Sequence, residues 1–354
     1  VFIVIVGTKA QLVKMAPVIR ELEKRAQPFK FILTGQHSET MEDLVSSFGI
    51  RAPEDSLYTL GEADSAPKLF KWLCCATKAA SSRSYFRDIN IKAILVHGDT
   101  MSTLLGAYIG WKYNISVAHV EAGLRSFNYM HPFPEEIIRV CVSKLSQFHY
   151  CPGKWAVENI RSKGVIIDTA QNTLVDSLKL VYNQEGGRLL EKYAVISLHR
   201  TENVSNDKRF NFIMEQVVSI SKQIRVKFVL HPVTRSKLDS SGWRAKLQLL
   251  SEVELCPRMD YLKFVSLLCG ANFLVTDGGS NQEEASYIGL PCLLMREYTE
   301  RQEGLGTNVV LSKYKEAVIA EFVRKHASSS PDINFHVDYE RSPSEIIVDH
   351  LMSI

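Results

Sequence analysis

The 354-residue chain has no apolar run that could span a bilayer, no C-x-x-C pair, no H-E-x-x-H helix, no P-loop and no G-x-G-x-x-G turn. Each absence removes a class. A membrane-spanning helix needs about 20 consecutive apolar residues, so no membrane partner is expected. The apolar start at Val1 is too short for a signal h-region and has no basic residues before it, so it reads as the first core strand. The seven cysteines are odd in number and scattered. That argues against a disulfide framework or a zinc ribbon and makes a reducing cytoplasm the simplest setting. The ten histidines lack metal-ligand spacing, so no dedicated metal site is expected. The missing glycine fingerprints argue against a kinase and against a nicotinamide dehydrogenase. Lys and Arg number 42 against 39 Asp and Glu, a net charge of +3, which gives no electrostatic case for nucleic acid.

Five hydrophobic runs are present, each ending in a small polar cluster. Val1–Val6 precedes Gly7-Thr8-Lys9, and Ala93–Val96 precedes His97-Gly98-Asp99-Thr100. Val117–Val120 precedes Glu121-Ala122-Gly123-Leu124-Arg125, Ala194–Leu198 precedes His199-Arg200, and Asn272–Val275 precedes Thr276-Asp277-Gly278-Gly279-Ser280. Short β-branched runs bounded by turn residues read as buried parallel strands. Ligands of open α/β sheets bind outside the carboxyl ends of such strands. Acids, a histidine and glycines recurring at one edge therefore point to a shared cleft.

Helical segments alternate with the strands. They are expected over Ala16 to Lys24 with Pro17 in the first turn, Glu39 to Phe48, Ala66 to Ser82, Ser102 to Lys112, Glu135 to Phe148, Lys154 to Lys163, Thr173 to Asn183 and Pro343 to Ile354. Phe31 to Thr34, Tyr193 to Leu198, Lys227 to Leu230 and Phe273 to Thr276 read as further strands, with Gly61 to Ser65 and Gln184 to Gly187 as loops and Ser328 to Pro331 as a polar break. Two successive strand–helix series in a chain of this length argue for two Rossmann-like, doubly wound α/β domains. The expected boundary between them lies near residue 170.

Asp99, Glu121 and Glu135 each have a plain structural reading: a helix cap, an ion pair with Arg125, and a first-turn acid one turn from Arg139. Three acids near the strand ends of one domain also shift one another's ionisation, as proton transfer requires. His199, beside Arg200 and Glu202, is a candidate active-site imidazole. Gly278 and Gly279 let backbone amides approach an anion at a helix start expected at Asn281, and Glu284 on the next turn could accept from a ribose hydroxyl. Lys9 in Gly7-Thr8-Lys9 is a second, weaker phosphate candidate.

The segments His97–Thr100, Val120–Arg125, Pro134-Glu135-Glu136, His199–Asn203, Gln282–Ala285 and Arg296–Arg301 resemble those of the UDP-N-acetylglucosamine 2-epimerases, in the same order and at similar spacing from Val1 to about Leu311. The resemblance implies a glycosyltransferase-B-like fold, with domains 1–170 and 171–337 facing across a cleft and residues 338–354 packing back on the first. It implies a UDP-sugar substrate, a homodimer, and no metal or nicotinamide cofactor, in an enzyme that serves cell-envelope polysaccharide synthesis. The implied reaction eliminates UDP across C1–C2 of the sugar and adds it back after reprotonation on the opposite face. By motif match, Asp99, Glu121 and Glu135 are the acid/base carboxylates, His199 assists UDP departure and return, and Arg139 orients the site. Gly278, Gly279 and Ser280 bind diphosphate, Glu284 the ribose, and Lys9, Lys14 and Arg301 complete the substrate-binding set. The chain departs from the family at Lys9-Ala10-Gln11, where Arg-Pro-Glu is common, and at Asp277-Gly278-Gly279-Ser280, where Asp-Ser-Gly-Gly is common. Gln36 and His37 match part of an activator site whose other members, at Glu39 and Gly61–Ser65, differ. A hydrolysing epimerase, a glycosyltransferase of the same architecture and a non-catalytic UDP-sugar sensor are the competing readings.

Overall fold

The computed structural model describes residues 1–36, 41–59, 61, 66–130, 133–184, 192–299, 301–328 and 341–354. His37, Glu39, Glu300, most of Gly61–Ser65 and parts of the 184–187 and 328–331 segments lie outside the described residues. The chain forms two compact units, Val1–Ser177 with Tyr339–Ile354, and Leu178–Asp338. Among the described residues no helix is long and apolar enough to cross a membrane.

Unit 1 runs β1 (Phe2–Val6), α1 (Lys9–Lys24), β2 (Phe29–Leu33), α2 (Met41–Phe48), β3 (Asp55–Ser56), α3 (Ala66–Ser82), β4 (Ala93–His97), α4 (Met101–Tyr113), β5 (Ser116–Val120), α5 (Glu135–Leu145), β6 (Phe148–Cys151), α6 (Lys154–Asn159) and β7 (Val165–Asp168). α7 (Leu174–Gln184) spans the division between the units. The seven strands are parallel in the order β3-β2-β1-β4-β5-β6-β7. Every residue of β1 and β4 is buried, as expected for strands covered on both faces.

Unit 2 runs β8 (Tyr193–Leu198), α8 (Thr201–Val204), α9 (Asp207–Ser221), β9 (Arg225–Leu230), α10 (Pro232–Ser241), α11 (Trp243–Gln248), β10 (Val253–Cys256), α12 (Tyr261–Gly270), β11 (Phe273–Thr276), α13 (Gly279–Tyr287), β12 (Cys292–Leu294), β13 (Val309–Leu311) and α14 (Glu316–His326). Its sheet order is β10-β9-β8-β11-β12-β13, again all parallel. Renumbered from its own first strand this is 3-2-1-4-5-6, the doubly wound order, and unit 1 follows the same order with one strand more. The expected α/β fold is observed. Each sheet reverses direction once, between β1 and β4 in unit 1 and between β8 and β11 in unit 2.

α15 (Pro343–Ser353) belongs to unit 1 and packs on α1. Its start is fixed by a capping box between Ser342 and Glu345 with Pro343 in the first turn. Asp176 accepts from the Ser344 amide (2.9 Å) and hydroxyl (2.6 Å), and the Tyr150 hydroxyl lies 2.9 Å from His350 Nδ1.

Three boundaries differ from expectation by three residues or more. α1 begins at Lys9, seven residues early, because Thr8 and Gln11 form a capping box. Glutamine, in place of the usual acid, does the reciprocal bonding. α5 stops at Leu145: the Gln147 amide donates to Val117 (3.0 Å) and its side chain accepts from the Val117 amide (2.7 Å), which draws Phe148 into β6. α6 ends at Asn159 because Ile160 is extended.

The early start of α1 puts Pro17 inside the helix, where it has no N–H for the Val13 carbonyl. The buried Ser177 hydroxyl donates to that carbonyl instead. We expect Ser177→Ala to cost about 1–3 kcal/mol, the price of a buried unsatisfied acceptor. Adding Pro17→Ala should recover most of it; urea unfolding of the single and double variants measures both, and equal stabilities would refute the replacement.

Candidate active site

Unit 1 gathers its polar chemistry at the carboxyl ends of β1, β4 and β5, beside the reversal point. Glu121, directly after β5, has φ of +63°, a left-handed backbone that a non-glycine residue adopts at some cost. Its Oε1 accepts from Lys14 Nζ (2.7 Å) and Asn172 Nδ2 (2.8 Å). The Lys14 and Glu121 side chains are 7% and 8% exposed, so this ion pair is shielded from water. Glu121 Oε2 lies 3.1 Å from His97 Nε2. His97 is pushed down to about 4, chiefly by burial, so the imidazole that faces Glu121 is neutral at neutral pH. His119 is likewise driven to about 4 by burial, although its Nε2 reaches the Gly98 carbonyl at 2.8 Å.

Asp99 follows on the next turn. Its Oδ2 accepts from Arg139 Nε (2.9 Å) and Nη2 (2.6 Å). Arg139 Nη1 reaches Glu136 Oε2 at 3.3 Å. Glu136 is fully buried and also accepts from Arg125 Nε (2.5 Å) and from the amides of Ser126 (2.9 Å) and Phe127 (3.2 Å). Burial alone would raise its carboxyl, but the Ser126 amide and the Arg125 guanidinium more than offset this and hold it low. Asp99 and Glu121 both act electrostatically on His97, which ties the two clusters together. Glu135 opens α5 one residue before Glu136, and its Oε2 is buried without a hydrogen-bond partner among the described residues.

The Gly7-Thr8-Lys9 turn differs from a phosphate loop. The Gly7 and Thr8 amides already donate to Gln11 Oε1 at 2.9 and 3.1 Å, while Gln11 Nε2 donates to the His97 carbonyl at 2.7 Å. Gln11 is thus a buried brace, and Lys9 opens α1 beyond it. Gly7 itself is required for space, since a Cβ would sit 1.8 Å from Ser102 Oγ.

In unit 2 the ends of β9, β8 and β11 carry His231, His199 and Asp277 side by side. Asp277 is fully buried and accepts from the amides of His199 (2.9 Å) and Arg200 (3.1 Å) and from Asn203 Nδ2 (2.9 Å). His199 Nδ1 is 3.5 Å from Asp277 Oδ1, and its ring lies 4.7 Å from that of His231. Burial lowers His199, with Arg200 and Arg258 adding to it against the pull of Asp277; His231 falls to about 4 through burial, His199 and Arg258. One buried acid among two arginines and two imidazoles leaves this end receptive to an anion.

α13 starts at Gly279 rather than Asn281, so Gly279 and the exposed Ser280 form its first turn and Gly278 is its N-cap without a side-chain cap. The first-turn amides of such a helix have no intrahelical acceptors. A Cβ at Gly278 would meet His199 Cε1 at 2.6 Å, so the glycine keeps the imidazole against the turn. Glu284 is nearly buried and accepts from Asn281 Nδ2 (2.9 Å). Arg301 Nη1 donates to the fully buried Glu283 at 2.8 Å. Among the described residues no His, Cys, Asp and Glu cluster is placed to hold a metal ion.

His231 and Asn172 escaped sequence reasoning, and Asn203 entered it only as the last residue of a motif. His231 had a usable signal, a polar residue directly after the strand read over Lys227–Leu230 and before Pro232. Asn172 reaches Glu121 across 51 positions, and no local pattern announces that.

Residues 20–341 match the family model for UDP-N-acetylglucosamine 2-epimerase. The UDP-N-acetylglucosamine 2-epimerase of Methanococcus maripaludis is 33% identical over 323 residues, 86% of this chain and 85% of that one. The crystal structure of the Methanocaldococcus jannaschii UDP-GlcNAc 2-epimerase in complex with UDP-GlcNAc and UDP aligns with a TM-score of 0.83 at 27% identity over 99% of both chains. That of the Neisseria meningitidis enzyme bound to UDP-GlcNAc gives 0.78 at 27% identity over 100% of both.

Proposed function

Given that this chain belongs to the UDP-N-acetylglucosamine 2-epimerase family, we propose that it inverts C2 of a UDP-2-acetamido sugar by eliminating UDP and adding it back. The C2 proton has no adjacent carbonyl to acidify it. It leaves to a carboxylate as the C1–O bond breaks and the diphosphate departs with the electron pair. The resulting 2-acetamidoglucal is reprotonated on its other face, and UDP returns to C1. Asp99, Glu121 and Glu135 serve the proton transfers. Lys14 and Arg139 hold the carboxyl groups of Glu121 and Asp99 in place. His199, Gly278, Gly279 and Ser280 take the diphosphate, with Glu284 on the ribose and Lys9 on the substrate. Arg301, tied to Glu283, acts by holding its loop.

The observation that carries this reading is the pairing of Asp99 and Glu121. They lie at neighbouring strand ends, each with its own buried or half-buried cation and with neutral His97 beside them. Moving a glycosyl group to an acceptor would leave so many acid/base groups without work. The reading extends to a homodimer in a reducing cytoplasm, and the seven free cysteines support the redox half of it.

Turnover of UDP-GlcNAc in D₂O, followed by proton NMR, should place deuterium at C2 of both recovered epimers. Free sugar accumulating in step with UDP would select the hydrolysing reaction instead. Unlabelled substrate across a panel of UDP-2-acetamido sugars would overturn the proposal.

A further inference from the structure

Glu136 touches no side chain assigned to proton transfer, yet it is a heavily bonded carboxylate near the site. It has no exposed surface and receives four hydrogen bonds. Three come from one short stretch, the Arg125 side chain and the Ser126 and Phe127 amides; the fourth comes from Arg139. Arg139 in turn spends its other two nitrogens on a single oxygen of Asp99. The guanidinium is therefore stretched between two carboxylates on different elements, one at the start of α5 and one after β4. A planar fork bonded at both sides has little freedom to rotate.

Given the epimerase reading above, we propose that Glu136 is a positioning residue, which sets the angle of Arg139 and through it the placement of the Asp99 carboxylate against the sugar. A purely structural role, pinning residues 125–127 to α5, would be felt through stability. A positioning role is felt through Arg139 and must vanish when Arg139 no longer bridges.

The experiment is a double-mutant cycle between Glu136→Gln and Arg139→Gln, with the wild type first shown to epimerise. Glutamine keeps one oxygen, for either the Ser126 or the Phe127 amide but not both, and removes the charge that holds the guanidinium. Glu136→Gln should lower kcat by about 10²-fold, the scale of an ångström-sized misplacement. KM should stay within about threefold, because the lost interaction works mainly in the transition state. In the Arg139→Gln background the same change should cost less than about twofold more, since the two residues act as one unit. Multiplicative losses in the double variant, or a kcat for Glu136→Gln equal to wild type, would overturn the proposal. Should Glu136→Gln fail to fold, Arg139→Lys tests the same link. Lysine keeps the charge without the fork, and the same loss confined to kcat is required of it. A wild type that turns over no UDP-sugar would defeat the functional reading instead.

Discussion

Asp99→Asn should lose turnover by about 10²–10⁴-fold, the range for a removed acid/base group, while its melting temperature stays close to wild type. Asp99 is 29% exposed at the side chain, and its partner Arg139 keeps a second carboxylate in Glu136. Nothing is left buried without a counter-charge. Glu121→Gln should lose turnover to a similar degree and also destabilise the protein. Lys14 is 7% exposed and pairs with Glu121 at 2.7 Å. Withdrawing the charge from a buried pair costs about 3–5 kcal/mol. The contrast between the two variants is the informative result, read from kcat against the urea-unfolding free energy. If Asp99→Asn retained more than a tenth of wild-type activity, Asp99 would not be a proton-transfer group.

The second large effect is acid lability. His97 and His119 are wholly buried and fall to about 4 from an ordinary 6.5. Between those values the unfolded chain binds protons that the folded chain refuses. The stability gained by keeping both rings neutral is therefore complete above 6.5 and is lost as the pH drops towards 4. Each ring should contribute a slope of about 1.4 kcal/mol per pH unit across that window. Glu136, held low by its donors, steepens the fall further down, below its ordinary 4.5. Urea unfolding at pH 7.5 and pH 5 should show the loss, and His119→Gln, which keeps a donor for the Gly98 carbonyl, should remove one ring's share. Parallel pH dependences for wild type and His119→Gln would rule the explanation out.

How much of this was legible depended on the range of each interaction. β1, β4 and β8 announce themselves because their five or six consecutive buried residues are written almost wholly in apolar letters, with only His97 at the end of β4 and Ser197 within β8 polar. The polar residues that follow them are local too, so Asp99, Glu121, His199 and Asp277 could be placed at strand ends from sequence. The brace formed by Gln11 could not. It links the Gly7 turn to the end of β4 across 86 positions, and in sequence it looks only like a weakened phosphate loop. Pro17 misled for the same reason: a proline normally marks a helix start, and the hydroxyl that permits it mid-helix comes from Ser177. For Arg301 and Lys14 the sequence shows the charges but not the buried carboxylates they face.

The return of α15 to the first unit makes the order of assembly on the ribosome unusual. Nascent domains commonly finish folding in the order in which they emerge. Here Leu178–Asp338 is complete in length while the unit begun at Val1 still lacks the helix that packs on α1 and meets Tyr150 and Asp176. A stalled or prematurely terminated transcript would thus leave the earlier-made half with a bare flank, and the later-made half whole.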